Sequence, residues 1–256
     1  MIFDTHAHYD DEAFEEDREE LLMNLPHQGI GAVVDVSSSI HSVDKVLALA
    51  DQYPYFYGAV GIHPSETADL SEECFRWLKE KAEHPKNVAI GEIGLDYYWD
   101  TPSREIQKLW FARQMELAGE RKLPLIIHSR DAANDTYAMM KEAKAETIGA
   151  IIHCYSYGIE QARQYLNMGF YLGIGGVVTF TNAKKLKEVV EYAPLEQLVL
   201  ETDCPYLSPV PNRGKRNSSL NLIYVVKEIA RIKNMDYDMV VKVTEENARK
   251  FYRIYE

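Results

Sequence analysis

The sequence predicts an α/β fold, a (β/α)8 TIM barrel, from two observations. Eight short apolar segments recur along the 256 residues, and longer amphipathic segments separate them. The apolar segments are rich in Val, Ile and Leu, as parallel strands buried on both faces are. Eight alternating strand and helix units indicate a closed barrel. The first segment also ends in Thr5-His6-Ala7-His8, whereas an open doubly wound sheet usually has a glycine-rich phosphate loop there.

The apolar segments define the predicted strands. In chain order they are residues 1–5, 31–36, 56–60, 88–92, 125–128, 150–153, 170–174 and 198–203. No linker or low-complexity tract divides them, and barrels commonly reach about this length as one unit. We therefore predict a single domain over residues 1–256.

Three connecting segments carry clear helix signals. A helix is predicted over residues 42–52, with Ser42 as its N-cap, and another over residues 71–83, whose acidic first turn suits the helix dipole. A third is predicted over residues 102–122, with Thr101 as N-cap and Pro102 at the first helical position.

Charge and cysteine usage limit the classes of function. The formal net charge of −12 argues against a protein that tracks along nucleic acid, because phosphate contacts dominate such binding. This negative charge is still compatible with a pocket that binds only one end of a strand. No segment reaches the roughly 20 apolar residues that span a bilayer, and the three cysteines form no CxxC pair. We expect a cytoplasmic protein with no membrane contact and no obligate protein partner.

Polar residues fall at the ends of five predicted strands. Catalytic residues of this barrel come from the C-terminal ends of strands. A buried imidazole or carboxylate without a partner is costly, and a shared metal ion supplies the partner. The residues in question are His6, His8, Glu92, His128, His153 and Asp203.

These residue types indicate a pair of divalent ions. His6 and His8 are two residues apart in an extended segment, so both side chains point to one face. Imidazole and carboxylate ligands without thiolate suit Zn²⁺, Mn²⁺ or related ions. Glu92 is the best candidate for a bridge, because its two oxygens can each bind one ion of a pair about 3.5–4 Å apart. Cys154 and Cys204 each follow a candidate ligand and are expected to point away from it.

Several segments resemble the TatD family of metal-dependent hydrolases, in the same order along nearly the whole chain. They are Phe3-Asp4-Thr5-His6-Ala7-His8, Gly61-Ile62-His63-Pro64, Gly91-Glu92-Ile93-Gly94-Leu95-Asp96-Tyr97, His128-Ser129-Arg130-Asp131-Ala132, His153-Cys154-Tyr155-Ser156, Glu201-Thr202-Asp203-Cys204-Pro205-Tyr206-Leu207 and the loop Pro211-Asn212-Arg213-Gly214-Lys215-Arg216-Asn217. After Asn217 the family often has Glu-Pro, where this chain has Ser218-Ser219. That difference bears on substrate preference more than on metal binding.

The resemblance implies a barrel of the metallo-dependent hydrolase type that uses two divalent ions per chain, Zn²⁺, Mg²⁺ or Mn²⁺. For many members it implies deoxyribonuclease activity, often from the 3′ end of a strand. By position, one ion would be held by His6, His8, Glu92 and Asp203, and the second by Glu92, His128 and His153.

The expected chemistry is attack of a metal-activated water on a phosphodiester of DNA or another phosphate-bearing substrate. Asp203 would orient the water and take its proton. His63 would hydrogen-bond the phosphate or protonate the leaving oxygen, or it is a turn residue fixed by Pro64. Arg130 would bind a phosphate, or pair with Asp131 or Asp135.

Two further groups are candidates for substrate binding. Arg213, Lys215 and Arg216 form a basic loop in an acidic protein, and such residues are also common on surfaces. Residues 97–99 are three aromatics that could stack on a base or cover the barrel core. Glu201 shares the face of Asp203 and is expected to support a ligand.

Two other functions remain open. One is hydrolysis of an ester or amide, of a small amidohydrolase-type substrate or an aminoacyl-tRNA ester, by the same water. The other is a binding protein whose metals are structural, which the absence of Cys ligands argues against.

Overall fold

The predicted strands pair side by side in chain order in the computed structural model, which describes residues 1–255. All eight strands in this part of the chain are parallel to their neighbours. Their bounds are Ile2–Ala7 (β1), Ile30–Val36 (β2), Phe56–Val60 (β3), Asn87–Asp96 (β4), Leu125–Arg130 (β5), Ala150–Ile152 (β6), Tyr171–Ile174 (β7) and Leu198–Leu200 (β8). The predicted (β/α)8 barrel is confirmed.

The barrel closes between β8 and β1 through the backbone that follows β8. The N–H groups of Thr202 and Asp203 both donate to the carbonyl of His6, at 3.3 and 3.0 Å, and the N–H of His8 donates to the carbonyl of Cys204 at 2.9 Å. Closure therefore joins the chain around His6 and His8 directly to the chain around Asp203.

Helices follow the strands and cover the outside of the barrel. Over residues 1–255 they are Arg18–Asn24 (α1), Ile40–Gln52 (α2), Glu72–Lys81 (α3), Arg104–Arg121 (α4), Ala133–Glu142 (α5), Ile159–Asn167 (α6), Lys184–Tyr192 (α7), Leu222–Lys233 (α8) and Tyr237–Tyr252 (α9). Of these described helices, none has both the length and the apolar character needed to cross a membrane.

Two helix starts differ from the prediction. Ser42 is not the N-cap of α2: its Oγ accepts from the N–H of Ser39 at 3.0 Å, so it lies inside the first turn and Ser39 is the cap. Helix α4 begins at Arg104, two residues after Pro102, so Ser103 and not Thr101 is its N-cap; the carbonyl of Pro102 accepts from Gln107 Nε2 at 3.0 Å. The start of α3 follows the prediction, since the Ser71 side chain accepts from the N–H of Cys74.

The core has two layers that alternate along the strands. Residues such as Val34 and Ile126 belong to a buried cluster inside the barrel, whereas neighbours such as Val33 and Ile127 pack outward against the helices. Tyr252 of α9 extends the inner cluster at the N-terminal end of the barrel. The Tyr252 hydroxyl donates to the carbonyl of Thr5 at 2.8 Å. Helix α9 thus covers the N-terminal end, and the C-terminal ends of the strands carry the polar residues.

Candidate metal centre

The six candidate ligands lie together at the C-terminal ends of the strands. Five of them line one cavity of about 790 Å³, and His6 is buried directly beneath it. His6 lies within β1, Glu92 within β4 and His128 within β5, while His8, His153 and Asp203 follow β1, β6 and β8. The cavity is within the size range of small-ligand sites, about 300–1,000 Å³.

One group of four donor atoms surrounds a common point. Nε2 of His6 and Nε2 of His8 are 3.1 Å apart. Glu92 Oε2 lies 3.6 and 3.9 Å from these two nitrogens, and Asp203 Oδ1 lies 3.8 and 3.4 Å from them. Spacings of this kind fit one cation with ligand distances of about 2.0–2.2 Å.

A second group surrounds the other oxygen of Glu92. Glu92 Oε1 lies 2.7 Å from His128 Nδ1, 3.6 Å from His153 Nε2 and 4.0 Å from His63 Nε2. The two carboxylate oxygens of Glu92 therefore face different donor groups, which is the arrangement of a bridging ligand.

Hydrogen bonds on the far side of two imidazoles aim lone pairs at the centre. His8 Nδ1 donates to the carbonyl of Val36 at 2.8 Å, so in the neutral ring the lone pair is on Nε2. His153 Nδ1 lies 3.1 Å from Glu201 Oε2, so its Nε2 faces Glu92 and Asp203. Fixing a ligand ring from behind in this way is typical of metal-binding histidines.

The charge of the centre also fits cations. Burial alone raises the pKa of Glu92, but the imidazoles of His153, His63 and His128 hold it well below its usual value. The pKa of Asp203 is likewise lowered by His8 and His153 despite burial. In residues 1–255 no Lys or Arg forms an ion pair with either carboxylate. Apart from the imidazoles, these carboxylates have no cationic partner among the described residues, and divalent ions at the two donor groups would compensate their charge.

Asp96 supports the centre and was not predicted. Strand β4 continues four residues beyond its predicted end at Glu92, to Asp96. Asp96 Oδ2 lies 3.0 Å from His128 Nε2, so an N–H donated there leaves the Nδ1 lone pair facing Glu92. The sequence feature that could have predicted this role is the acidic residue in Gly94-Leu95-Asp96, which lies in one of the segments that resemble the TatD family.

His63 has the predicted turn role, and its ring also faces the cavity. Its Nδ1 accepts from the N–H of Ser65 at 3.2 Å, which caps the turn Pro64–Asp69. Its Nε2 faces the cavity, 4.0 Å from Glu92. Burial lowers the pKa of His63 to about 3, so the ring is neutral at pH 7. With Nδ1 accepting, the single ring proton is on Nε2, where it can be donated to a bound oxygen.

The predicted cationic residues separate into two sets. Arg130 lines the cavity, and its guanidinium lies 3.8 Å from the centre of the Tyr98 ring. Within residues 1–255 it pairs with neither of the two predicted aspartates, and Asp135 pairs with Lys108 instead. Arg213 lies over Phe180, Arg216 pairs with Asp17 at 2.5 Å, and neither these nor Lys215 is among the described residues lining the cavity.

Cys154 corrects an expectation from strand alternation. It was expected to point away from the site, but it lines the cavity, and its Sγ belongs to a group of possible ligand atoms with His153 and Asp203. Strand β6 ends at Ile152, and Cys154 has a φ of +44°, so alternation no longer applies there. Cys204 is fully buried.

A buried polar network lies behind His6 and includes the serine that departs from the family pattern. Asp4 is fully buried and accepts from Ser219 Oγ at 2.6 Å, Thr202 Oγ1 at 2.7 Å and the N–H of Thr202 at 3.0 Å. The N–H of Ser219 donates to the hydroxyl of Tyr9. Burial raises the pKa of Asp4 to about 7. Ser219 thus ties the start of α8 to β1.

Comparison with known proteins agrees with this fold and indicates a metal-dependent hydrolase. A profile of the family described as TatD related DNase matches residues 3–253. YabD of Bacillus subtilis (strain 168), described as an uncharacterized metal-dependent hydrolase, is 43% identical over 254 residues, 99% of this chain and 100% of that protein. YcfH of Escherichia coli (strain K12), described in the same way, is 30% identical over 257 residues, 99% of this chain and 96% of that protein.

A solved structure shares the architecture and about a quarter of the sequence. The crystal structure of YjjV, a TatD homologue from Escherichia coli K12, superposes with a TM-score of 0.93 at 28% identity, and covers 99% of this chain and 98% of that one. The family profile, over residues 3–253, includes the positions of all six candidate ligands. The chain therefore belongs to the TatD family of metal-dependent hydrolases.

Proposed function

We propose that the protein is a divalent-metal-dependent deoxyribonuclease that cleaves phosphodiester bonds from a DNA end, in the 3′ to 5′ direction. The observation that carries the proposal is Glu92, whose two oxygens face two separate donor groups at the floor of a cavity. Support for a phosphate-bearing substrate comes from the family membership and from Arg130 at the cavity wall.

Two divalent ions, Zn²⁺, Mg²⁺ or Mn²⁺, would lower the pKa of a water and stabilise negative charge on phosphate oxygens. His6, His8, Glu92 and Asp203 would hold one ion, and Glu92, His128 and His153 the other. Asp203 is anionic and reaches the cavity, so it orients the attacking water and accepts its proton.

The remaining side chains bind and orient the phosphate. His63 donates a hydrogen bond from Nε2 to a phosphate oxygen, and because its ring is neutral at pH 7 it does so without an imidazolium charge. Arg130 binds a neighbouring phosphate with its planar guanidinium. A role for Arg213, Lys215 and Arg216 would be in binding more distant parts of a strand. The cytoplasmic location and the absence of an obligate partner stay predictions.

The alternative is hydrolysis of an ester or amide, including an aminoacyl-tRNA ester, by the same residues. The test is metal-dependent shortening of a labelled single-stranded oligonucleotide by metal-stripped protein to which Mg²⁺, Mn²⁺ or Zn²⁺ is added. Asp203→Ala should lower the rate by about 10²–10⁴-fold, and the exposed Glu188→Gln serves as control. Two bound ions per chain without any cleavage would contradict the nuclease proposal and favour the ester or amide substrate.

A further inference from the structure

Cys154 brings a sulfur donor into the candidate metal centre. Its Sγ, one ring nitrogen of His153 and one carboxylate oxygen of Asp203 all lie within 4.8 Å of one another. All three residues line the cavity, just after the ends of β6 and β8. We propose that Cys154, His153 and Asp203 form a soft donor group, which holds one ion of the pair when that ion is Zn²⁺ or another thiophilic cation. The proposal rests on the metal centre of the proposed function and not on its substrate.

The backbone after two strands turns these side chains into the cavity. Cys154 has a φ of +44° after β6, and Asp203 has a φ of +56° after β8. Left-handed backbone costs a residue with a Cβ about 1–3 kcal/mol, and such residues cluster at active sites and at sites that hold ligands. The strained conformation therefore directs Sγ of Cys154 toward the same space as the carboxylate of Asp203.

One buried carboxylate fixes two of the three donors. Glu201 Oε1 accepts from the N–H of Cys154 at 2.6 Å, and Oε2 lies 3.1 Å from His153 Nδ1. Nε2 of His153 then faces Asp203 Oδ1 at 3.6 Å. Because the imidazole ring and the backbone beneath Sγ are both held from behind, the soft donor group loses little conformational freedom when it binds an ion.

The donor atoms determine which cations use this group. Thiolate is a soft ligand that favours Zn²⁺ and other thiophilic ions, whereas carboxylate and water oxygens suit Mg²⁺ and Mn²⁺. On binding, a metal–sulfur bond replaces the S–H bond of Cys154, and the proton passes to solvent. His153 and Asp203 belong to different donor groups around Glu92, so an ion bound at Sγ keeps one ligand from each. Cys154 should therefore raise the affinity for Zn²⁺ and leave the affinity for Mn²⁺ nearly unchanged.

The first measurement is the absorption spectrum of the full-length, metal-stripped protein during anaerobic titration with Co²⁺, which stands in for Zn²⁺. A thiolate bound to Co²⁺ gives a sulfur-to-metal charge-transfer band in the near ultraviolet, which imidazole and carboxylate ligands do not give. We expect this band in the wild type and its loss in Cys154→Ser. The matched control is Cys74→Ser, the same change at a cysteine of α3 that does not line the cavity, and it should keep the band.

The second measurement is a competition titration against a chromogenic chelator, with Zn²⁺ and Mn²⁺ in turn. Loss of a residue that only supports a ligand lowers metal affinity by about 10–100-fold. Cys154→Ser loses the ligand atom itself, so it should bind Zn²⁺ at least about 10-fold more weakly than the wild type. Its affinity for Mn²⁺ should stay within about twofold of the wild-type value, and this retained affinity also shows that the variant is folded.

The outcomes separate the soft donor group from the nuclease function. A wild type that binds Co²⁺ without the charge-transfer band, or a band that persists in Cys154→Ser, would overturn the soft donor group and leave the nuclease function intact. Equal losses of Zn²⁺ and Mn²⁺ affinity in Cys154→Ser would also overturn it, because they would indicate a purely structural cysteine. A cysteine-dependent band without cleavage of any phosphodiester would support the soft donor group and contradict the nuclease function. A wild type that binds no Co²⁺ would contradict both.

Discussion

Replacement of Glu201 by Gln tests whether the residues behind the candidate ligands control metal affinity. Glu201 is fully buried, and its two oxygens have different partners. Oε1 accepts from the N–H of Cys154 at 2.6 Å, and Oε2 lies 3.1 Å from His153 Nδ1. The carboxylate therefore accepts in both directions and holds the His153 proton on Nδ1.

Glutamine cannot accept in both directions. With its carbonyl toward Cys154, its NH₂ group meets His153 Nδ1, and the ring relieves the conflict by moving its proton to Nε2. Nε2 is the atom that lies 3.6 Å from both Glu92 and Asp203, and a protonated nitrogen cannot bind a cation. Loss of such a supporting partner lowers metal affinity by about 10–100-fold, which corresponds to about 1.4–2.7 kcal/mol.

The assay is a competition titration of metal-stripped protein against a chromogenic chelator, with Zn²⁺ and Mn²⁺ in turn. Glu188→Gln, an exposed Glu to Gln change on α7, is the matched control and should bind as the wild type does. Circular dichroism checks that the fold is retained. Equal affinity of a folded Glu201→Gln and the wild type, within about twofold, would refute the reasoning about the His153 proton.

Three other predictions concern stability. In Gly94→Ala the new Cβ would lie 1.9 Å from the carbonyl oxygen of His128 at a φ of +146°, so urea unfolding should show a loss of at least about 3 kcal/mol. Glu228→Gln removes the charge that pairs with Lys187 and Arg231, and we expect about 1 kcal/mol less stability at pH 7. Chelation of bound metal should lower Tm by about 10 °C, and scanning calorimetry should show recovery when metal is returned.

Controls separate these effects from general damage. Gly158→Ala places its Cβ in open space and should cost less than about 1 kcal/mol. The pKa of Glu228 is lowered to about 2, chiefly by Arg231; its contribution is complete above the ordinary pKa of 4.5 and is lost as pH falls toward 2. The Glu228→Gln deficit should therefore shrink between pH 4.5 and pH 2. A stability loss in Glu228→Gln that grows on acidification would contradict the role of the Glu228 ion pairs. A Tm that does not change on chelation would contradict stabilisation by bound metal.

The sequence was sufficient for the barrel and for the location of the polar residues, because both depend on patterns that repeat. Each of His6, His128 and His153 follows an apolar run long enough to be a buried strand. Parallel strands in one barrel bring their C-terminal ends to the same face, so the clustering of these side chains follows from topology alone.

Features that depend on competition between local contacts could not be predicted. At the helix start near Pro102 the proline carbonyl accepts a hydrogen bond from Gln107, and Cys154 itself adopts a left-handed conformation after β6. The role of Asp96 required knowing that β4 runs on beyond Glu92. In the same way, Ser219 can be seen as a partner of Asp4 only after α8 has been placed beside β1.

The closure of the barrel couples the assembly of the site to the completion of folding. Asp4 and Thr202 bond to each other across 198 residues of chain, and the carbonyl of His6 receives the N–H of Asp203. A growing chain that has released β1 to β7 from the ribosome still lacks this contact, so His6 and His8 have no Asp203 beside them. Hydrolytic activity should therefore appear only with the complete ring, and partly folded chains should be inactive.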